Sequence, residues 1–434
     1  MNRLTKRTLL STAIAVATFQ AHGAGFQISE HSASGLGRAF AGEAAIADNA
    51  AVAARNPAAM TMFDSAQLSG GISFIQPDVD AKVTSSELAI SNPPTQTGSE
   101  NYSDVAPDAF VPNIHYIHPL NDKMAVGFSA FSNFGLATEY PTDAIAGPGA
   151  GKSELATVDF NANFAYEINE QLSLGLGLNA VYADASLTRN TGSLAPILSS
   201  PATDETANLS GDGWGFGWNI GALWHINEKN RLGFAYRSEV DITLDGEYRG
   251  TSTAFAGKPG QTVPGELELN LPDIFEFSGY HELAPKWAMH YSVMRVGWSS
   301  FQELRATGAS SDCINGGSEP GVCLQKDEKW DDSWRYAIGA THYLNNKWTL
   351  RAGFARDESP VPDEHRTLSI PDTDRNWYTI GATYQATKAL TIDGGFAYLN
   401  GDTASGTETE SVATYNFEAG GDAYIYSVSA NYTF

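Results

Sequence analysis

The sequence predicts an all-β transmembrane protein: a fourteen-stranded antiparallel outer-membrane β-barrel with an N-terminal hatch, or plug, inside its lumen. Three observations predict it. First, the chain ends on a strand in which Tyr424, Tyr426, Val428, Ala430, Tyr432 and Phe434 take every second position, with Ile425, Ser427, Ser429, Asn431 and Thr433 between them. Period-two alternation sends one set of side chains to lipid and the other to a lumen, and a closing aromatic resembles the C-terminal signature of bacterial outer-membrane barrels. Second, a secretory signal opens the chain and no later run has the ~18 apolar residues that a spanning helix needs. Third, short turns and long connections alternate along the rest.

Residues 1–23 read as a signal peptide. Arg3, Lys6 and Arg7 form its basic region, Leu9 to Phe19 its short apolar region, and Ala21-His22-Gly23 supplies small residues for cleavage. Ala24-Gly25-Phe26 is then the mature start. The chain carries 42 Gly, 18 Tyr, 21 Phe and 9 Trp. A secreted chain of this composition without a spanning helix is a soluble β-protein or a membrane barrel. Its formal charge of −24 excludes a nucleic-acid partner, which requires a basic surface.

Residues 24–63 precede the first alternating strand and are rich in Ala, Gly and Asn. They read as short helices and tight turns packed as a plug; a periplasmic tail is the other reading. A fourteen-stranded barrel has a wide lumen unless something fills it.

Residues 64–434 read as the barrel. Six short turns, at residues 121–123, 169–171, 227–230, 284–286, 345–347 and 386–388, each join two alternating runs. Val158, Phe160, Ala162, Phe164 and Tyr166 alternate with Asp159, Asn161, Asn163 and Glu167 on the other face, and Leu172, Leu174, Leu176 and Leu178 with Ser173, Gly175, Gly177 and Asn179. Trp214, Phe216, Trp218, Ile220, Ala222 and Trp224 alternate with glycines and Asn219. The apolar sets should meet lipid and the polar and glycine sets the lumen. Seven longer connections, at 81–107, 138–154, 189–212, 250–264, 307–328, 358–373 and 401–420, bring the count to fourteen strands with both ends on the short-turn side. A soluble sandwich also alternates, but it does not need this asymmetry of loops.

The two cysteines, Cys313 and Cys323, fall in one of these connections. An oxidising compartment favours a disulfide; two free thiols in the same loop is the alternative. No His or further Cys stands at ligand spacing, so no metal is expected. The nine His are scattered and no nucleophile–base–acid pattern stands out, which argues against an enzyme.

Together these residues resemble the FadL family of long-chain fatty acid outer-membrane transporters. Ala24-Gly25-Phe26-Gln27, Ser34-Gly35-Leu36-Gly37-Arg38-Ala39 and Arg55-Asn56-Pro57-Ala58 look like the family's hatch. Further matches include the run from Ser132 to Glu139, Trp214 to Asn219, Tyr236 to Val240, Asp357 to Pro362 and Ser369 to Asp372. The resemblance implies passive uptake: substrate enters from outside, occupies an apolar pocket, and leaves sideways through the wall after the hatch moves. It implies that Arg189 and Lys326 bind the fatty-acid carboxylate, where the residues alone would read as solvated strand ends or contacts to lipopolysaccharide. It implies a kink in the third strand at Asn133-Phe134-Gly135 that forms the lateral opening; Gly135 making room for a neighbour is the plainer reading. Asn56-Pro57-Ala58 is either a turn within the hatch or a gating element, Phe26 is expected to fill the empty pocket, and Asp357 matches an acid near the lumen.

The expected ligand is a long-chain fatty acid, with uncharged compounds such as monoaromatic hydrocarbons as the alternative within the family. A general porin is disfavoured by a filled lumen. The surroundings are outer-membrane lipid and lipopolysaccharide, no cofactor is implied, and a lateral exit predicts that one barrel works as a monomer.

Overall fold

A computed structural model of the chain describes residues 24–91, 93–250, 259–309, 311–313, 319–410 and 412–434. The expected signal peptide at 1–23 lies outside the described residues. Fourteen strands form one closed antiparallel barrel. They are β1 (Gln67–Leu88), β2 (Thr95–Tyr102 and Ala109–Asn121), β3 (Met124–Phe131 and Gly135–Glu139), β4 (Lys152–Asn169) and β5 (Leu172–Asn190). Next come β6 (Glu205–Asn227), β7 (Asn230–Arg237 and Val240–Gly250), β8 (Thr262–Leu271 and Ile274–Ala284), β9 (Trp287–Val296 and Glu303–Gly308) and β10 (Val322–Asp327 and Ser333–Tyr343). The last are β11 (Trp348–Asp357), β12 (Arg375–Gln385), β13 (Leu390–Glu410) and β14 (Ala413–Thr433). Closure comes from β1 and β14, paired from Gln67↔Thr433 to Leu88↔Ala413. Among the described residues no helix is long and apolar enough to cross a membrane.

The pleat sorts the side chains. Leu174, Leu176, Leu178, Phe216, Ile220 and Val428 point outward and are 44–76 % exposed, while their neighbours Ser173, Asn179, Asn219 and Ser427 are buried inward. Apolar side chains in that ring meet hydrocarbon, so their exposure marks the lipid face. Trp224, Trp287, Tyr343, Trp348 and Tyr432 stand at the short-turn end and Trp214, Trp334 and Tyr378 toward the other, as aromatic girdles do.

Two of the expected connections, 81–107 and 401–420, are mostly strand. β1 runs on to Leu88 and pairs with Thr95–Tyr102, and β13 runs to Glu410 beside β14. These extensions rise above the lipid band. Their outward faces meet water, so Lys82, Thr84, Thr407 and Thr409 replace the apolar row and the lipid-facing alternation disappears. Inward, Val79, Ala81, Val83, Tyr415 and Phe417 still form an apolar cluster under the loops.

Inside the barrel lies the segment from Ala24 to Phe63, buried along nearly all its length. It contains two four-residue helices, α1 (Ala33–Leu36) and α2 (Val52–Arg55), and a 3-10 turn at Pro57–Met62. Its charges pair internally and with the wall: Arg38 with Glu43 at 2.6 Å and Asp48 at 2.9 Å, and Asp48 with Arg351 at 3.1 Å. Buried charges require such partners.

Candidate functional site

The inward row of β5 sets out the site. It reads Asn179, Val181, Ala183, Ala185, Leu187 and Arg189: polar at membrane depth, apolar above it, and basic at the outer end. Leu244, Leu267, Leu269, Leu304 and Leu324 from β7 to β10 face the same space. The cavity they line is half open and its walls are largely apolar, as the walls of sites for lipid-like ligands are.

Phe26 forms one end of the cavity. Its ring sits in an aromatic cage: 4.5 Å from Trp298, 5.4 Å from Phe301, 5.6 Å from Trp330 and 6.1 Å from Phe134. Most of these contacts are edge-on, as aromatic quadrupoles prefer. The cage exists because β9 breaks at residues 297–302 and β10 at 328–332, which turns Trp298, Phe301 and Trp330 inward. Sequence reasoning missed all three, because a break in a strand leaves no periodicity to read. Gly25 carries φ +66°, and a Cβ there would lie 2.7 Å from Trp298 and 2.8 Å from Trp330, so only glycine fits beside the cage.

Arg189 is 6 % exposed and lines the cavity. Its guanidinium donates to the carbonyls of Lys152 (3.1 Å) and Thr188 (3.0 Å) and to Ser153 Oγ (3.3 Å). Among the described residues no carboxylate comes within ion-pair distance of it. Burial lowers its pKa, against the pull of Glu410, Glu408 and Glu328. Lys326 differs: it is bonded to Glu408, lies 3.3 Å from Glu410, and donates to Ser369 Oγ at 3.3 Å. Burial alone would lower its pKa, but Glu408, Glu410 and Glu328 hold it above the usual lysine value. Ser369 and Cys323 line the cavity, so Arg189 and Lys326 share its polar end. The glutamates were not singled out from the sequence. Glu408 and Glu410 stand two apart, which puts both on one face of a strand, and a strand reading of 401–410 was the signal that could have found them.

Cys313 and Cys323 are joined by a disulfide that packs against Tyr248, Val263 and Ala306, and Cys323 lines the same cavity.

Asn133, Phe134 and Gly135 lie where β3 is interrupted. Between Phe131↔Asp159 and Gly135↔Ala156, β3 has three residues and β4 only two, the extra residue that defines a bulge. On its other edge β3 leaves β2 early: their ladder ends at Ile114↔Ala130, although β2 continues to Ala109. The inner segment backs this gap. Ile28 N donates to Asn133 O at 2.7 Å, Gly135 N to Phe26 O at 2.9 Å, and Gln27 bridges Phe134. A further tie joins the gap to α2, since Arg237 pairs with Asp159 (2.9 Å), donates to Ala54 O (2.8 Å), and shares Asp159 with Asn133 (3.0 Å).

Asp357 is buried at the outer end of β11 and accepts from Ala24 N at 3.2 Å. Asn56, Pro57 and Ala58 stand apart from the cavity, against β4 to β6. Asn56 caps the 3-10 turn by accepting from Ala58 N (3.0 Å) and donates to Ala44 O (2.6 Å) and to Ala222 O of the wall (3.0 Å). The wall makes room at Gly221, where a Cβ would lie 1.9 Å from Asn56 Oδ1. Thus Phe26, Arg189 and Cys323 line one space, Phe134 packs behind Phe26, Lys326 bonds to its wall at Ser369, and the Asn56 turn stands outside it.

Comparison with known proteins places the chain. The family model described as outer membrane protein transport protein (OMPP1/FadL/TodX) matches residues 14–434. The long-chain fatty acid transport protein of Escherichia coli O6:H1 (strain CFT073) is 42% identical over 456 residues, covering 99% of this chain and 98% of that protein. Outer membrane protein P1 of Haemophilus influenzae is 38% identical over 466 residues, 99% of each. Among solved structures, a Pseudomonas aeruginosa FadL homologue aligns with TM-score 0.82 at 21% identity, over 95% of this chain and 100% of that one. The Pseudomonas putida toluene transporter TodX aligns with TM-score 0.68 at 17% identity, over 96% and 99%; at these identities the likeness is one of fold. With a family match across the whole barrel and relatives near 40% identity over their full length, the chain belongs to the FadL/TodX family of outer-membrane transport proteins.

Proposed function

We propose that the protein carries long-chain fatty acids passively across the outer membrane, by way of the internal cavity and a lateral opening in the wall. The observation that carries this reading is Arg189: a buried guanidinium at the end of an apolar cavity, with no carboxylate of its own among the described residues. A lipid carboxylate supplies the missing partner through charge-assisted hydrogen bonds. The relatives near 40% identity named as long-chain fatty acid transport proteins support the same ligand class.

The energies divide the work. About sixteen methylenes at ~0.8 kcal/mol each give a gross ~13 kcal/mol of burial, reduced by the cost of immobilisation. A charged hydrogen bond adds ~1.5–3 kcal/mol. The tail drives binding, and the head group orients the ligand and selects acids over hydrocarbons. Phe26 closes one end of the cavity. Its displacement, with the strand-like segment Phe26–Ile28, opens the route between β2 and β3 at Asn133-Phe134-Gly135 into the membrane. Asn56-Pro57-Ala58 anchors the rest of the hatch while that segment moves. One barrel completes the route, so a monomer suffices, and no bond of the ligand is made or broken.

The test is uptake of labelled oleate by cells lacking their own transporter, for the wild type and for Arg189→Ala/Lys326→Ala, with toluene as competitor. Strong oleate uptake that the double substitution weakens is expected. Toluene passage without oleate uptake, from a correctly inserted barrel, overturns the reading.

A further inference from the structure

The polar end of the cavity carries an excess of acid. Two cations, Arg189 and Lys326, stand within electrostatic reach of three carboxylates, Glu328, Glu408 and Glu410. An anionic ligand brings a fourth negative charge into a site shielded from water, where like charges repel strongly. The three glutamates are not held alike. Glu408 is bonded to Lys326 and accepts from Leu368 N at 2.8 Å. Glu410 pairs with Lys326 at 3.3 Å and is one-third exposed, so water screens it. Glu328 is 1 % exposed; its Oε2 accepts from Trp330 Nε1 at 3.2 Å, and its Oε1 is buried with no hydrogen-bond partner.

We propose that Glu328 takes up one proton from solvent when an anionic lipid head group settles beside Arg189 and Lys326, so that the site binds its ligand as an anion plus a proton. The proton goes to Oε1, which changes an unpaired acceptor into a donor and restores the charge balance of the cluster. Two features of the site support this. Trp330, which holds the other oxygen, packs against Phe26, so Glu328 stands between the cage and the cations. Burial already pushes its carboxyl up to about 7, against the pull of Lys326 and with Glu408 and Glu410 pushing further. Tyr140 and Tyr415 also face the cluster through Glu408 and are neutral there, burial raising both. A bound anion raises Glu328 further. Binding is therefore strongest below about pH 7 and weakens as pH rises above it, by up to about tenfold per pH unit while the bound site alone keeps the proton.

The inference rests on Arg189 and Lys326 being the head-group site, and the experiment separates the two. The mature barrel in lipid nanodiscs is titrated calorimetrically with dodecanesulfonate, which stays ionised throughout, in phosphate and in Tris at about pH 7.5. Proton uptake is the difference in heat divided by the difference in buffer ionisation enthalpy. Uptake approaching one proton per ligand is expected. Glu328→Gln, an isostere of the protonated acid that can still accept from Trp330, should bind as tightly as wild type at about pH 6 while losing both the uptake and the pH slope. Binding without proton uptake by the wild type, or an unchanged slope in Glu328→Gln, overturns the inference. Equal binding by the wild type and Arg189→Ala/Lys326→Ala overturns the head-group assignment instead. Failure of both dodecanesulfonate and laurate to bind overturns both.

Discussion

Ala24 N lies 3.2 Å from Asp357 Oδ2, and both residues are almost fully buried. Removal of residues 1–23, the expected signal, converts that amide to an α-ammonium whose counter-ion is then Asp357. Breaking a buried pair from one side costs about 3–5 kcal/mol. Asp357→Ala should therefore release the N-terminal segment without unfolding the barrel. Hydrogen exchange should rise at the amides of Ile28 and Gly135, which bond across to Asn133 and Phe26, and stay unchanged in β11 to β14. Unaltered protection at those two amides counts against the pairing.

Gly25→Ala tests the cage from the other side. The φ of +66° and the contacts under 3 Å to Trp298 and Trp330 leave no room for a methyl group. Strain of about 1–3 kcal/mol should lift Phe26 out of the cage. With Phe26 no longer competing for the cavity, oleate should bind more tightly in equilibrium titration; equal affinity means that Phe26 and ligand do not share the space.

Asn56→Ala removes one cap and two bonds that tie the hatch to itself and to β6. Orphaned buried groups cost about 1–3 kcal/mol each. The hatch should loosen inside an intact barrel, seen as raised conductance in planar bilayers with an unchanged barrel melting temperature. Conductance equal to wild type assigns Asn56 to a turn whose loss the lumen tolerates.

Cys313→Ser/Cys323→Ser opens a loop of sequence separation 10, worth about 3 kcal/mol by loop-closure entropy. The effect should stay local. Exchange should rise in Val322–Asp327, and oleate affinity should fall because Cys323 and Leu324 line the cavity. Global melting should move little, since neither cysteine lies in the lipid-spanning part of a strand.

Arg189→Lys keeps the charge and loses the planar fork that reaches Lys152 O, Thr188 O and Ser153 together. A lysine in that position cannot hold three acceptors and still face a carboxylate. Oleate binding should weaken about tenfold, while methyl oleate, which lacks the charge, binds as before. Equal loss for both ligands places Arg189 in packing alone.

How much of this was legible depends on what each residue faces. Leu174, Leu176 and Leu178 could be read because lipid on one side and the lumen on the other impose period two. Lys82, Thr84, Thr407 and Thr409 could not, because above the membrane the outer face is wet and the alternation there is weak. Arg189 and Lys326 were reached only through family resemblance, since strand-end cations carry no pattern. Glu328 and Trp330 lie in a break of β10, where neither strand nor turn chemistry flags a site.

The sequence by itself determined the solvent, the compartment and the number of strands, because each spanning strand must satisfy a lipid face and a lumen face with its own residues. Tertiary structure alone decided which residues meet in the lumen. The closing of β1 on β14 and the matched breaks in β9 and β10 bring Phe26 to Trp298 and Trp330, and carry Glu408 across to Lys326 over 82 positions of sequence. Such contacts follow from barrel closure and register, and no local run of residues encodes them.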